Sequence, residues 1–157
     1  MRELRLTGAS LRRRALAAGV DGLPCVALAL LPWVVGIFAW GEFVPPPDRF
    51  WPDHLLELLA ARPRTFTAPL IWAALVWCLW QFLWVAFAQG RTPGCALLGV
   101  RYVDAYGDPP RWDHALLRAV GGVLSAGSLG LGWAWGFVAP SRRTWPDLLS
   151  GTWLVRF

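Results

Sequence analysis

The sequence predicts an all-α membrane protein: a small transmembrane helical bundle with two firm spans and a third, glycine-rich membrane segment. Composition is the first observation behind this. Of 157 residues, 56% are hydrophobic and only 16% are charged, against roughly 25% charged in typical soluble domains. The second is that residues 22–40, 65–90 and 119–141 carry no charge at all. The third is that the arginines cluster between these runs. A water-soluble fold this apolar lacks the polar surface to cover itself, whereas lipid solvates apolar side chains.

The net charge is +5 and all 15 basic residues are Arg. They occur in short clusters and form no continuous basic face, so a nucleic-acid partner is excluded. Cys25, Cys78 and Cys95 make an odd count without a CxxC pair. That pattern argues against a disulfide framework and against a metal site. Cys25 and Cys78 sit in apolar runs and read as small buried apolar residues.

The chain reads as a single domain, 1–157, with membrane segments at about 15–40, 67–89 and 113–139. The first segment follows a tail that holds Arg2, Arg5, Arg12, Arg13 and Arg14 against Glu3. Residues 22–40 give 19 uncharged positions, extended toward the N-terminus by residues 15–20. A span needs about 20. Pro24 and Pro32 are tolerated inside a membrane helix because neighbours satisfy the freed carbonyls. The run is longer than the apolar core of a signal peptide and holds Asp21, so it reads as retained.

A polar connection follows, in which Pro45, Pro46 and Pro47 break any helix. Residues 53–61 form an amphipathic stretch expected to lie along the membrane surface. The second span is the clearest, with 26 uncharged residues from 65 to 90. Trp77, Trp80 and Trp84 share one helical face, expected to meet lipid or the interface. Gln81 is the polar exception and is expected to hydrogen-bond to a neighbouring helix.

In the second connection, Gly90-Arg91-Thr92-Pro93-Gly94 reads as a tight turn. Residues 100–103 (VRYV) read as a short extended piece, and a helix starts at Trp112. The third run, 119–141, has 23 uncharged residues and holds Gly121, Gly122, Gly127, Gly130, Gly132 and Gly136. Ser128, Gly132 and Gly136 repeat every four residues, a small-residue groove for a second helix or subunit. Glycine also weakens a helix, so a break is expected around 127–132. The tail carries Arg142, Arg143, Asp147 and Arg156, and residues 151–157 read as a short interfacial strand.

Arginine counts set orientation. The N-terminal tail has five, and the second connection has Arg91, Arg101, Arg111 and Arg118. Both are expected in the cytoplasm, with the first connection outside, in a multi-pass protein of the cell inner (plasma) membrane. A third full span would put Arg142 and Arg143 outside, against the bias. A re-entrant hairpin would bring them back, which is allowed only where protein or a wet cavity shields the backbone. The sequence leaves both forms open.

Asp21 is the most informative charge, because intramembrane carboxylates face a bundle interior or a wet cavity. Arg14, seven residues earlier, lies about 20° off the same face but about 10.5 Å along the axis. A cation from another segment, Arg118 or Arg143, is therefore the expected partner. Asp21 reads either as half of an ion pair that fixes helix register or as a proton or cation site. His54 and His114 fall on opposite sides of the membrane in this topology. With no HExxH, GxSxG or Walker A motif, no enzyme, catalytic residue or cofactor is expected.

At these residues the sequence resembles the RDD family of bacterial membrane proteins, named for one Arg and two Asp. Residues 14–21 (RALAAGVD) look like the family's R-x-x-A-x-x-x-D. Residues 90–101 (GRTPGCALLGVR) resemble its GxTPGK-x-LLGLR stretch, and residues 143–152 (RTWPDLLSGT) resemble its HDLLAGT. The three motifs stand in order and cover nearly the whole chain. The resemblance maps the name-giving charges to Arg14, Asp21 and Asp147, and places Arg118 where the family has an Arg after the loop. Cys95 and Pro146 depart from it, standing where the family usually has a basic residue and a His.

The resemblance implies a role in transport of an unidentified ligand. The expected function is transport-related, with Asp21 responsive to protons or cations. Arg14, Arg118 and Asp147 would form a charged cluster near the cytoplasmic face, supported by Arg143, Gln81 and Thr92. The rival expectation is a membrane scaffold or accessory subunit whose charges only hold helices together. The expected partners are the lipid bilayer and further copies of the chain, because 157 residues hardly enclose a pathway alone.

Overall fold

The first helix, α1 (Leu11–Val34), starts at Ser10, whose Oγ accepts the Arg13 N–H at 3.4 Å. The computed structural model describes residues 9–156. Arg2 and Arg5, which enter the orientation count, and Phe157 lie outside them. After α1 come a 3-10 turn (Trp40–Phe43), α2 (Trp51–Ala61), α3 (Arg64–Phe87), α4 (Pro93–Leu97) and strand β1 (Val100–Val103). Then follow α5 (Trp112–Gly127), α6 (Leu131–Val138), α7 (Trp145–Ser150) and strand β2 (Trp153–Arg156). The helices α1 and α3, 24 residues each, are long and apolar enough to cross a membrane. The chain is thus a mostly helical membrane protein, with one two-stranded sheet among the described residues.

The chain divides into two compact units, Met1–Pro24 with Trp77–Phe157, and Cys25–Val76. In the Cys25–Val76 unit, Pro32 leaves the Leu28 carbonyl without its helical donor, and the Trp72 indole N–H takes it at 3.2 Å. This is how a membrane helix accommodates proline. The helix then ends in a Schellman motif: Ile37 N–H reaches the Pro32 carbonyl at 2.7 Å, and Gly36 N–H the Trp33 carbonyl at 3.2 Å. Gly36 has φ +78°, the left-handed conformation that such a cap requires. So α1 stops earlier than the hydrophobic run suggested. The amphipathic stretch expected at 53–61 forms α2, and Thr65 Oγ1 donates to the Glu42 carboxylate at 2.9 Å.

The other unit holds the three motif regions. Strands β1 and β2 pair antiparallel, with Val100 opposite Arg156 and Val103 opposite Trp153. Ala9 N–H donates to the Leu154 carbonyl at 2.9 Å, so the chain entering α1 joins the edge of this pair. Arg13 Nη1 reaches the Leu98 carbonyl at 3.1 Å. The core under these contacts includes Ala17, Val85, Cys95, Val100, Ala115 and Leu154. The start of α1, the second connection and the C-terminal strand therefore lie on one side of this unit.

The third apolar run is broken. The axes of α5 and α6 meet at 99°. Helix α5 ends in another Schellman motif, with Gly130 N–H on the Ser125 carbonyl at 2.8 Å and Leu129 N–H on Ala126 at 3.0 Å. Leu129 (φ +56°) and Gly130 (φ +87°) are both left-handed. The chain then returns along α5: Gly121 meets α7 so closely that an added Cβ would come within 2.8 Å of Pro146 Cα. Asp147, beyond α6, touches both Arg118 of α5 and Arg14 of α1. A full crossing would have carried Asp147 away from them. The bent pair α5–α6 fits a broken span or a re-entrant loop, and the Asp147 contacts favour the re-entrant form.

Candidate functional site

Asp147 is the hub of one polar cluster. Thr144 and Asp147 form a capping box at the start of α7, with Thr144 N–H on Asp147 Oδ2 at 2.9 Å. Arg14 donates to the same oxygen, and Arg118 donates to Oδ1. The carboxylate is 0% exposed, and both oxygens are engaged. Burial alone would raise its pKa. The facing Arg118 and Arg14 guanidiniums and the Thr144 N–H outweigh that and hold it at about 2, below the usual 3.8. Asp147 is thus an ionised anchor at neutral pH.

The surroundings complete that cluster. Arg118 also donates to Thr152 Oγ1 at 3.2 Å, and its guanidinium stacks 3.5 Å over the Tyr102 ring. Burial raises the Tyr102 phenol above its usual 10, although Arg118 pulls the other way. Tyr102 therefore stays neutral and serves as a stacking surface. Arg143 Nη2 donates to the Asp147 backbone carbonyl at 2.7 Å. His114 Nδ1 meets the Ser150 carbonyl at 2.5 Å.

Asp21 has different partners. Thr92 Oγ1 donates to its Oδ2 at 2.5 Å, and Gly94 N–H donates to its Oδ1 at 2.8 Å. The expectation that Arg118 or Arg143 would pair with Asp21 is therefore corrected. Both go to Asp147, and Asp21 is held by neutral donors at the N-terminus of α4. That helix end offers unpaired N–H groups to a carboxylate. Thr92 is its N-cap and also accepts the Cys95 N–H at 3.2 Å. Glycine is required at 94, because a Cβ there would strike the Ala17 carbonyl of α1. Arg14, Ala17 and Asp21 thus share one face of α1 and meet three different groups.

A cavity of about 430 Å³ reaches both sites and is lined by Arg14, Asp21, Gln81, Tyr102 and Arg118. Trp77, Trp133 and Phe137 form an apolar wall. Two expectations change here. Among the described residues Gln81 makes no hydrogen bond to another helix; it is buried beside the cavity. Trp77 does not face outward with Trp84: it lies against Gly122 and meets Trp133 edge-on at 6.0 Å.

The Ser128/Gly132/Gly136 groove is also revised. The break at 128–130 takes Ser128 off the helix that carries the two glycines. Gly132 packs on Ser125 and Trp145, and Gly136 on Thr144. The groove is filled by the chain's own segments. Cys95 is fully buried in the core. Pro146 sits in the first turn of α7, where proline sacrifices no helical hydrogen bond.

Sequence reasoning missed Tyr102, Thr144, Ser150 and Thr152. The Thr144-x-x-Asp147 spacing is a capping-box signature and was the available signal. Nothing in the sequence marks Tyr102.

A family model described as "RDD family" matches residues 8–151. No curated protein and no solved structure matches the chain. The matched span takes in the first two motif regions and all but the last residue of the third, and the chain belongs to the RDD family.

Proposed function

We propose that the protein has a transport-related role in the membrane, with Asp21 as its proton- or cation-responsive group. The observation that carries this reading is the position of Asp21. Its carboxyl is 3% exposed and lines a cavity beside Arg14, Gln81 and Arg118. Intramembrane carboxylates beside cavities mark ion and substrate pathways. Because its partners are neutral, a change of charge at Asp21 breaks no ion pair. A proton added to Asp21 must be donated to some acceptor. The nearest is Thr92 Oγ1, which already caps α4. Protonation would then reverse the Asp21–Thr92 hydrogen bond and turn the Thr92 hydroxyl proton to a new acceptor, coupling charge to the loop. The chain would work as a homo-oligomer in the inner membrane, N-terminus cytoplasmic, and without enzymatic activity.

The rival reading is a scaffold or accessory subunit, favoured by the way Asp147 and its arginines satisfy one another inside the chain. Flux separates the two. Wild type and Asp21→Asn are reconstituted in liposomes, shown to be folded, and compared for proton and monovalent-cation flux. The expected result is flux from wild type and at least a tenfold loss in the variant. A silent wild type favours the scaffold. Equal flux from both proteins removes Asp21 from the mechanism.

A further inference from the structure

A second cavity, of about 510 Å³, lies where α6 hands over to the tail. Arg14, Arg142 and Arg143 line it, together with Ser141, Trp153 and Leu154, and among the described residues no carboxylate does. Asp147, which holds Arg14, is buried and already engaged by Arg14, Arg118 and Thr144 N–H. Asp104, beside the lining residue Ala105, spends its Oδ1 on the N–H groups of Tyr106 and Asp108 in its own loop. The described part of the cavity wall therefore carries a surplus of positive charge.

The arginines are also held in place. Arg14 is tied to Asp147, and the Arg143 guanidinium lies 4.3 Å over the Trp153 ring. Arg142 stands in the left-handed conformation, φ +53°, in a turn closed by its N–H on the Ala139 carbonyl at 2.9 Å. A left-handed non-glycine residue is uncommon, and such strain gathers at functional sites. The exposed apolar side chains Trp135, Phe137 and Val138 of α6 come just before this turn. An abrupt change from exposed apolar to arginine, with a tryptophan alongside, marks the membrane–water boundary.

We propose that this cavity binds the phosphate of an anionic phospholipid from the surrounding bilayer. The guanidiniums offer forked donors to phosphate oxygens, and the acyl chains would run along the exposed face of α6. Basic pockets at this depth recognise lipid head groups in this way. The site shares Arg14 with the cavity beside Asp21, but it does not depend on transport.

The test uses the full-length protein in a neutral detergent and native mass spectrometry. It is titrated with phosphatidylglycerol, with phosphatidylcholine of equal chain length, and with inorganic phosphate. Wild type is expected to prefer phosphatidylglycerol over phosphatidylcholine at least tenfold. Arg142→Asn keeps a residue that tolerates left-handed backbone and is expected to weaken phosphatidylglycerol binding about fivefold, the usual effect of one arginine near a lipid surface. Arg111→Gln, on an exposed arginine outside the cavity, is expected to leave binding unchanged. Equal binding of the two lipids overturns the proposal, as does an Arg111→Gln loss equal to that of Arg142→Asn. Displacement of phosphatidylglycerol by an equal concentration of inorganic phosphate shows a site for free phosphate instead.

Discussion

Asp147 and Asp21 are both buried carboxylates on segments that carry the family motifs, and both accept hydrogen bonds through each oxygen. Around Asp147 the donors include two guanidiniums, and around Asp21 they are a hydroxyl and a backbone N–H. The difference decides what each group can do. Protonating Asp147 would strand the buried Arg118 and the half-buried Arg14. Protonating Asp21 would only reverse one hydrogen bond. Asp147 is therefore fitted to hold structure, and Asp21 to change state.

The largest expected effect comes from removing the anchor. Asp147→Asn leaves Arg14 and Arg118 without their anion and weakens the α7 capping box. Breaking a buried pair from one side costs about 3–5 kcal/mol, measured here as a lower unfolding temperature in detergent. A drop no larger than that of an exposed Asp48→Asn control would show that the two arginines find other partners, and the contrast with Asp21 would fail.

Acid should reach the same contact. The folded Asp147 carboxyl sits at about 2, below its ordinary 3.8. Its stabilisation is thus fully present above about pH 4 and fades as pH falls toward 2. At one unit per 1.36 kcal/mol, that is about 2 kcal/mol in all. Arg14→Gln removes one of the two cations, so its acid loss should begin from a smaller total. Identical acid profiles for wild type and Arg14→Gln would mean that Arg118 alone sets the carboxyl.

This contrast was only half legible in the sequence. The membrane class followed from three uncharged runs, and the set Arg14, Asp21 and Asp147 from the family resemblance. The partner of Asp21 did not follow, because charge matching looks for cations, and a Thr92 hydroxyl with a Gly94 N–H carries no charge signal. Periodicity put Trp77 and Trp84 on one face but could not say that α5 would cover the first. The repeat of Ser128, Gly132 and Gly136 assumed one continuous helix. Leu129 breaks it, and leucine is among the last residues that composition would nominate for a left-handed turn. The return of the chain was visible as a conflict in arginine counts, since Arg142 and Arg143 belonged with the N-terminal arginines, but the Asp147 contacts that favour it are tertiary.

The smallest effects sharpen the other half of the contrast. Thr92 Oγ1 both donates to Asp21 and accepts from Cys95 N–H. Thr92→Val removes the hydroxyl while keeping the shape. It leaves one Asp21 oxygen and one α4 N–H unpaired in a buried site, at a cost of about 1.5–3 kcal/mol. Thr92→Ser keeps the hydroxyl and deletes one buried methyl, at about 1 kcal/mol. If the hydroxyl is what makes Asp21 responsive, Thr92→Val should lose flux as Asp21→Asn does, while Thr92→Ser retains it despite being slightly less stable. Thermal unfolding and liposome flux on the same preparations separate the two quantities. Flux that simply tracks stability across the pair would reduce Asp21 to a second anchor, weaker than Asp147 but of the same kind.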